Sequence, residues 1–160
     1  MARSYYITVD ADDSKAQAKL DRMAVRAADL SPVFEVMATE LAARNAINFK
    51  SGGSLVGGWK PLKPATRRRK LKEWPGRQMM VRSGKLYRSV AKRPFDIERI
   101  GKLKMEVGTG VKYAKFHYHG TRHMPERKYL TMNREFVMKY EPMIKRHIAG
   151  KTESAKKGLL

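Results

Sequence analysis

Apolar positions along this chain follow two different periods. Tyr5, Ile7 and Val9 alternate with Tyr6 and Thr8, the period of two that marks a half-buried strand, and this predicts a first strand ending near Asp10. Beyond it the spacing becomes helical. Ala16, Leu20, Met23, Ala24, Ala27 and Leu30 recur at three- and four-residue intervals after Asp12-Asp13-Ser14, with Gln17 placed as the capping-box partner of Ser14. Ser31-Pro32 restarts the pattern, because serine is a favoured N-cap and proline fits the first helical position. Val33, Met37, Leu41 and Ile47 then carry an Ala-rich helix to about Lys50. The spacing admits two helices or one long helix with a bend.

Ser51-Gly52-Gly53-Ser54, Gly57-Gly58 and the prolines 61, 64 and 75 punctuate the next thirty or so residues, leaving room for a short helix over about 65–72. So long an irregular stretch in a small domain is usually functional or mobile, and 50–80 is expected to be a flexible arm. Ser83 to Val90 predicts a short helix. Phe95/Ile97 and Leu103/Met105/Val107 alternate on either side of Ile100-Gly101 and predict a β-hairpin. A final helix from about Asn133 places Phe136, Tyr140, Ile144 and Ile148 on one stripe, with Pro142 expected to kink or shorten it. The expectation is one α+β domain over 1–150, with a long helix on a small, mostly antiparallel sheet, followed by a disordered tail at 151–160. No run approaches the roughly 20 apolar residues that cross a bilayer, and the opening residues lack a signal-peptide apolar core.

Charge sharpens this picture. The 160 residues hold 35 Lys+Arg against 15 Asp+Glu, a formal +20, and no cysteine. A compact body so charged repels itself unless it meets phosphate or an acidic protein surface. Fifteen of the basic residues lie within 60–102, against only Glu73, Asp96 and Glu98. Lys60, Lys63, Arg67, Arg68, Arg69, Lys70, Lys72 and Arg77, with Trp59 and Trp74 close by, combine charge and aromatic faces as nucleic-acid backbone binders do, and are the candidate contacts for DNA or an acidic partner. A solvated helix face with the tryptophans in the core is the equally ranked alternative.

Catalytic chemistry is harder to place. His117 and His119 would share a face of a strand, but without cysteine, and with Glu126 better placed to pair with arginine, a metal site is not expected. Neither a phosphate-cradling Gly-Lys-Ser/Thr loop nor a Gly-x-Ser-x-Gly elbow occurs, and no acidic pair suggests a general acid and base. No catalytic, cofactor-binding or metal-ligating residue is assigned, and no enzyme activity is expected. Convergence of Asp12, Asp13 or Glu73 on His117 in a cleft would revive one.

The order of short motifs carries more information. Trp59-Lys60-Pro61-Leu62 and Thr66 precede Ser83-Gly84-Lys85-Leu86-Tyr87-Arg88-Ser89; then come Tyr113-Ala114-Lys115-Phe116-His117-Tyr118-His119-Gly120 and Pro125-Glu126-Arg127. This series resembles the phage virion morphogenesis (tail-completion) family and the related head-tail joining proteins. The matching positions are Trp59, Pro61, Leu62, Thr66, Ser83, Gly84, Leu86, Ser89, Tyr113, Ala114, His117, Gly120, Pro125 and Arg127. Glu126 between Pro125 and Arg127, the additional His119 and the strong basic run depart from the family pattern. The resemblance implies a structural virion protein of the neck, without a cofactor, assembled in the host bacterial cytoplasm. It further implies a self-associating ring, commonly a hexamer, that meets other neck, connector and tail-tube proteins around the DNA channel. A sequence-independent nucleic-acid-binding protein is the alternative reading.

Overall fold

Residues 12–151 are described by a computed structural model. In chain order they form α1 (Ser14–Ala27), α2 (Ser31–Lys50), a 3-10 turn (Ser54–Val56), α3 (Pro64–Glu73), α4 (Lys85–Ala91), β1 (Ile97–Ile100), β2 (Met105–Gly108), α5 (Ala114–His119), α6 (Arg134–Met138) and α7 (Glu141–Ala149). The class is α+β, with the two strands paired antiparallel, Ile97 opposite Gly108 and Ile100 opposite Met105. The first strand read from the sequence lies outside the described residues.

α1 and α2 are separate helices. The break is fixed by polar contacts: the Asp29 carboxylate accepts from the Ser31 N–H (3.0 Å) and hydroxyl (2.6 Å), and the Leu30 N–H donates to the Lys102 carbonyl (2.7 Å) in the hairpin turn. Asp29 therefore takes the capping role expected of Ser31, which is itself the first helical residue. The same shift occurs at α1. Ser14 opens the helix, its N–H is received by Asp12, and Gln17 turns to Asp21, so the expected capping box does not form.

α2 is the axis of the molecule because one of its faces is buried from end to end. Val33, Met37, Ala38, Leu41 and Ala42 meet Phe95, Phe136 and Tyr140 in a first core, flanked by Ile100, Met105 and Val107 of the hairpin and by Met143 and Ile144 of α7. The helical stripe then continues through Asn45 and Asn48 to Phe49, and not through Ile47, which is 54% exposed. The expected Ile47 position is off register: steps of three and four from Leu41 reach 45 and 48, so polar residues occupy inward sites. Phe49 enters a second core with Trp59, Val81, Leu86, Val90, Val111, Ala114 and Tyr129. Each such large side chain contributes about 1.5–3 kcal/mol on full burial.

The C-terminal stripe is split as Pro142 requires. α6 begins at Asn133, whose side chain accepts from the Phe136 N–H (2.9 Å), and α7 restarts with Pro142 in its first turn. Phe136 and Tyr140 are buried, and Ile144 and Ile148 half-buried. Tyr140 donates its hydroxyl to Glu40, which also pairs with Lys139, tying the end of the chain to α2. Across the molecule Arg93 bridges Glu35 on α2 (2.7 Å) and Glu98 on β1, joining helix and hairpin.

Candidate functional site

Of the family-motif residues, scattered over 59–127 in sequence, Trp59, Leu86 and Ala114 lie in the second core, and Ser89, Gly120 and Arg127 brace segments around it. Trp59 packs edge-on against Phe49, with centroids 5.4 Å apart and planes at 84°, and its indole N–H donates to the Lys128 carbonyl (2.8 Å). Asn48 donates to the same carbonyl (3.2 Å). Arg127 is only 5% exposed, and both its Nε and Nη2 reach the Lys60 carbonyl (3.3 and 3.0 Å), while its backbone N–H donates to the His117 carbonyl (2.7 Å). The guanidinium thus locks the segment next to Trp59 onto α5. Glu126 makes no ion pair with it among the described residues, so the expected Glu-Arg pairing is not formed; Arg127 points inward to a carbonyl instead.

Leu86, Ser89 and Ala114 are buried as well. The Ser89 hydroxyl donates to the Leu86 carbonyl (2.8 Å) and lies 2.7 Å from the Thr109 hydroxyl, which joins α4 to the segment leaving β2. Gly120 ends α5 at φ +75°, and a Cβ there would stand 2.7 Å from the Glu126 nitrogen and 2.9 Å from the Met124 carbonyl oxygen, both backbone atoms. Leu62, His117 and Pro125 are half-buried, whereas Pro61, Thr66, Ser83 and Tyr113 lie exposed. His117 and His119 belong to helix α5, not to a strand, and therefore do not share a face. Burial, aided by the charge of Arg127, lowers the His117 pKa below the ordinary imidazole value, and its Nδ1 is buried without a partner.

Sequence reasoning missed the polar residues that close this core. Asn45 is fully buried: its carbonyl oxygen accepts from the Thr131 N–H (3.0 Å) and hydroxyl (2.9 Å), and its amide donates to the Val90 carbonyl (2.7 Å). One side chain on α2 thereby fixes both α4 and the strand-like run before α6. Its position on the α2 stripe was the available signal. Gly53 punctuates the expected flexible arm in the sequence, and its φ of +92° with a Cβ position 2.6 Å from Trp59 Cγ shows that it makes room for the indole.

The basic run lies outside both cores. α3 buries no residue, and Arg67, Arg68, Arg69 and Lys72 are exposed and form no ion pair among the described residues, as do Lys60, Lys63 and Arg77. Lys70 is the exception among the candidate contacts: it is half-buried and donates to the carbonyls of Gln78 (2.7 Å) and Val81 (3.2 Å). Its pKa is lowered by burial and then by Arg77. The two tryptophans part company, since Trp59 is core and Trp74 carries the Arg82 guanidinium 4.1 Å above its ring. Among the described residues no three His, Cys, Asp or Glu side chains group as metal ligands, and neither of the two principal clefts is lined by Asp12, Asp13 or Glu73.

The site is thus a structural one, in which motif residues brace the second core and the exposed arginines of α3 form no ion pair among the described residues. Consistent with this, a model of the phage virion morphogenesis family matches residues 11–149, and the chain belongs to that family. No curated protein and no solved structure matches it. Its role is accordingly that of a bacteriophage virion protein acting in particle assembly. No helix among the described residues is long and apolar enough to cross a membrane.

Proposed function

We propose that this protein is a non-enzymatic ring subunit of the phage neck, a tail-completion, tail-terminator or head-tail joining component that surrounds the DNA channel. The observation that carries the reading is the division of labour just described. Part of the family motif builds the second core, while a basic helix that buries nothing carries Arg67, Arg68, Arg69 and Lys72 exposed and without an ion pair among the described residues. A subunit whose α3 arginines form no ion pair among the described residues is suited to meet DNA or acidic neighbours, and closed symmetric rings bury such surfaces between copies or around a shared axis. A hexamer is the expected closure. Other neck, connector and tail-tube proteins are the expected neighbours.

The second reading, a sequence-independent nucleic-acid binder that needs no ring, is favoured by the exposed Arg67, Arg68 and Arg69. Light scattering and negative-stain microscopy at low and high salt, with and without short duplex DNA, separate the two. A discrete ring of about six copies, formed alone or on isolated tails or heads, supports the neck subunit. A monomer that coats DNA in a salt-sensitive manner and never closes overturns it.

A further inference from the structure

Beside the motif core lies a small cleft of about 240 Å³ lined by Arg77, Gln78, Val81, Tyr87, Arg88 and Lys92, together with Gly84. Three of these side chains are cationic, one is an amide and one a phenol; no carboxylate lines it. Arg77 comes from the loop after α3, and Arg88 and Lys92 from α4 and its end. The charges are thus brought together by the fold and not by adjacency in sequence.

Two features organise the cleft. Gly84, at φ +77°, has its Cβ position only 2.8 Å from Arg88 Nη1, so the absence of a side chain lets the guanidinium fold back and donate to the Ser83 carbonyl (3.4 Å). This assigns the Ser83-Gly84 motif, an exposed serine followed by a buried glycine, a task that the second core leaves unexplained. Behind the lining residues Gln78 and Val81, the Lys70 amine donates to both their carbonyls and pins the loop that presents Arg77. Forked guanidinium donors match the paired oxygens of phosphate, and a cleft with only cationic and neutral polar groups gathers anions.

The geometry points to an oxyanion site that seats a backbone phosphate of DNA, with Arg77 and Arg88 as the two forks and Lys92 as the flanking charge. It deepens the DNA-facing part of the function proposed above and does not depend on ring closure. The free cations of α3 then supply neighbouring, less ordered phosphate contacts.

The test compares Arg77→Gln/Arg88→Gln with the charge-matched Arg67→Gln/Arg68→Gln by fluorescence anisotropy on a labelled duplex of about 20 base pairs. Circular dichroism confirms that each variant folds, and Arg77→Lys/Arg88→Lys keeps the charge while removing the forks. The cleft pair is expected to lose roughly tenfold or more in affinity and to reduce the salt slope by about 2. The α3 pair loses clearly less, and the lysine variant recovers only part. Equal losses in the two glutamine pairs overturn the site. So does a response of the cleft pair confined to inorganic phosphate, read as a thermal shift against chloride at matched ionic strength. Poly-glutamate that binds the wild type as tightly as DNA, with the same dependence on Arg77 and Arg88, assigns the cleft to an acidic protein and also overturns it. Ring formation, scored separately by microscopy, tells a failed cleft from a failed neck assignment.

Discussion

Replacing Asn45 by alanine removes three hydrogen bonds at a point with no solvent access. The substitution strands the Thr131 N–H, which cannot turn elsewhere, and the Val90 carbonyl at the end of α4, where no later helical N–H reaches it. The Thr131 hydroxyl is free to rotate and adds less. Each stranded buried group costs about 1–3 kcal/mol, and the emptied volume adds to it, offset by relief from desolvating the amide itself. The expected net loss is roughly 3–4 kcal/mol, and at about 2–4 °C per kcal/mol for a chain of this size Tm falls by roughly 6–16 °C. Urea denaturation followed by circular dichroism measures it, with the midpoint falling at unchanged slope. Thr131→Val and the double variant complete a cycle whose coupling should reach about 0.5–3 kcal/mol. A loss under about 1 kcal/mol for Asn45→Ala, or additivity in the cycle, refutes the claim that this side chain joins α4 to the 128–131 run.

Gly53→Ala should destabilise by roughly 2–4 kcal/mol in the same urea assay, since a Cβ at φ +92° both strains the backbone and displaces the Trp59 ring; Trp59 fluorescence should shift to longer wavelength, and an unshifted spectrum counts against it. Arg127→Lys should cost about 1–3 kcal/mol, because a single ammonium cannot reproduce the double contact to the Lys60 carbonyl. Burial works to raise the Glu98 pKa, but bonds from Arg93 and the Phe95 N–H outweigh it and hold the pKa below its ordinary 4.5. Its stabilising effect is therefore fully present above 4.5 and disappears as pH falls through the lowered folded value. Urea midpoints taken between roughly pH 6 and pH 2.5 should fall more steeply for the wild type than for Glu98→Gln.

The elements that declared themselves in the sequence were those whose signal is local. The hairpin around Ile100-Gly101, α3, α4 and the split at Pro142 follow from period and from proline, and the structure has each of them. The histidine segment was not assigned an element from its pattern, and the structure makes it the short helix α5, ended by Gly120. Capping shifted by a residue or two at both α1 and α2, where aspartates two positions upstream accept the serines' own N–H groups and draw the serines into the first turn. The motif residues were visible as a series, but their convergence was not, because Trp59, Arg127 and Asn45 are joined through backbone carbonyls that no side-chain pattern encodes. Lys70 looked like its basic neighbours for a related reason: its partners are carbonyls eight and eleven residues away.

The stitch between residues 45–48 and 128–131 also fixes an order of events during synthesis. α2 is complete by Lys50, yet its inward-facing asparagines lack their full set of partners until Lys128 and Thr131 have been made, Val90 supplying only one of them before that. Contacts of such long sequence separation form late, since the intervening loop must first be closed at an entropic cost. The nascent chain therefore carries its central helix half-covered until residue 131 has been made. A particle assembled from such subunits recruits chains that have closed this stitch and leaves out those that have not.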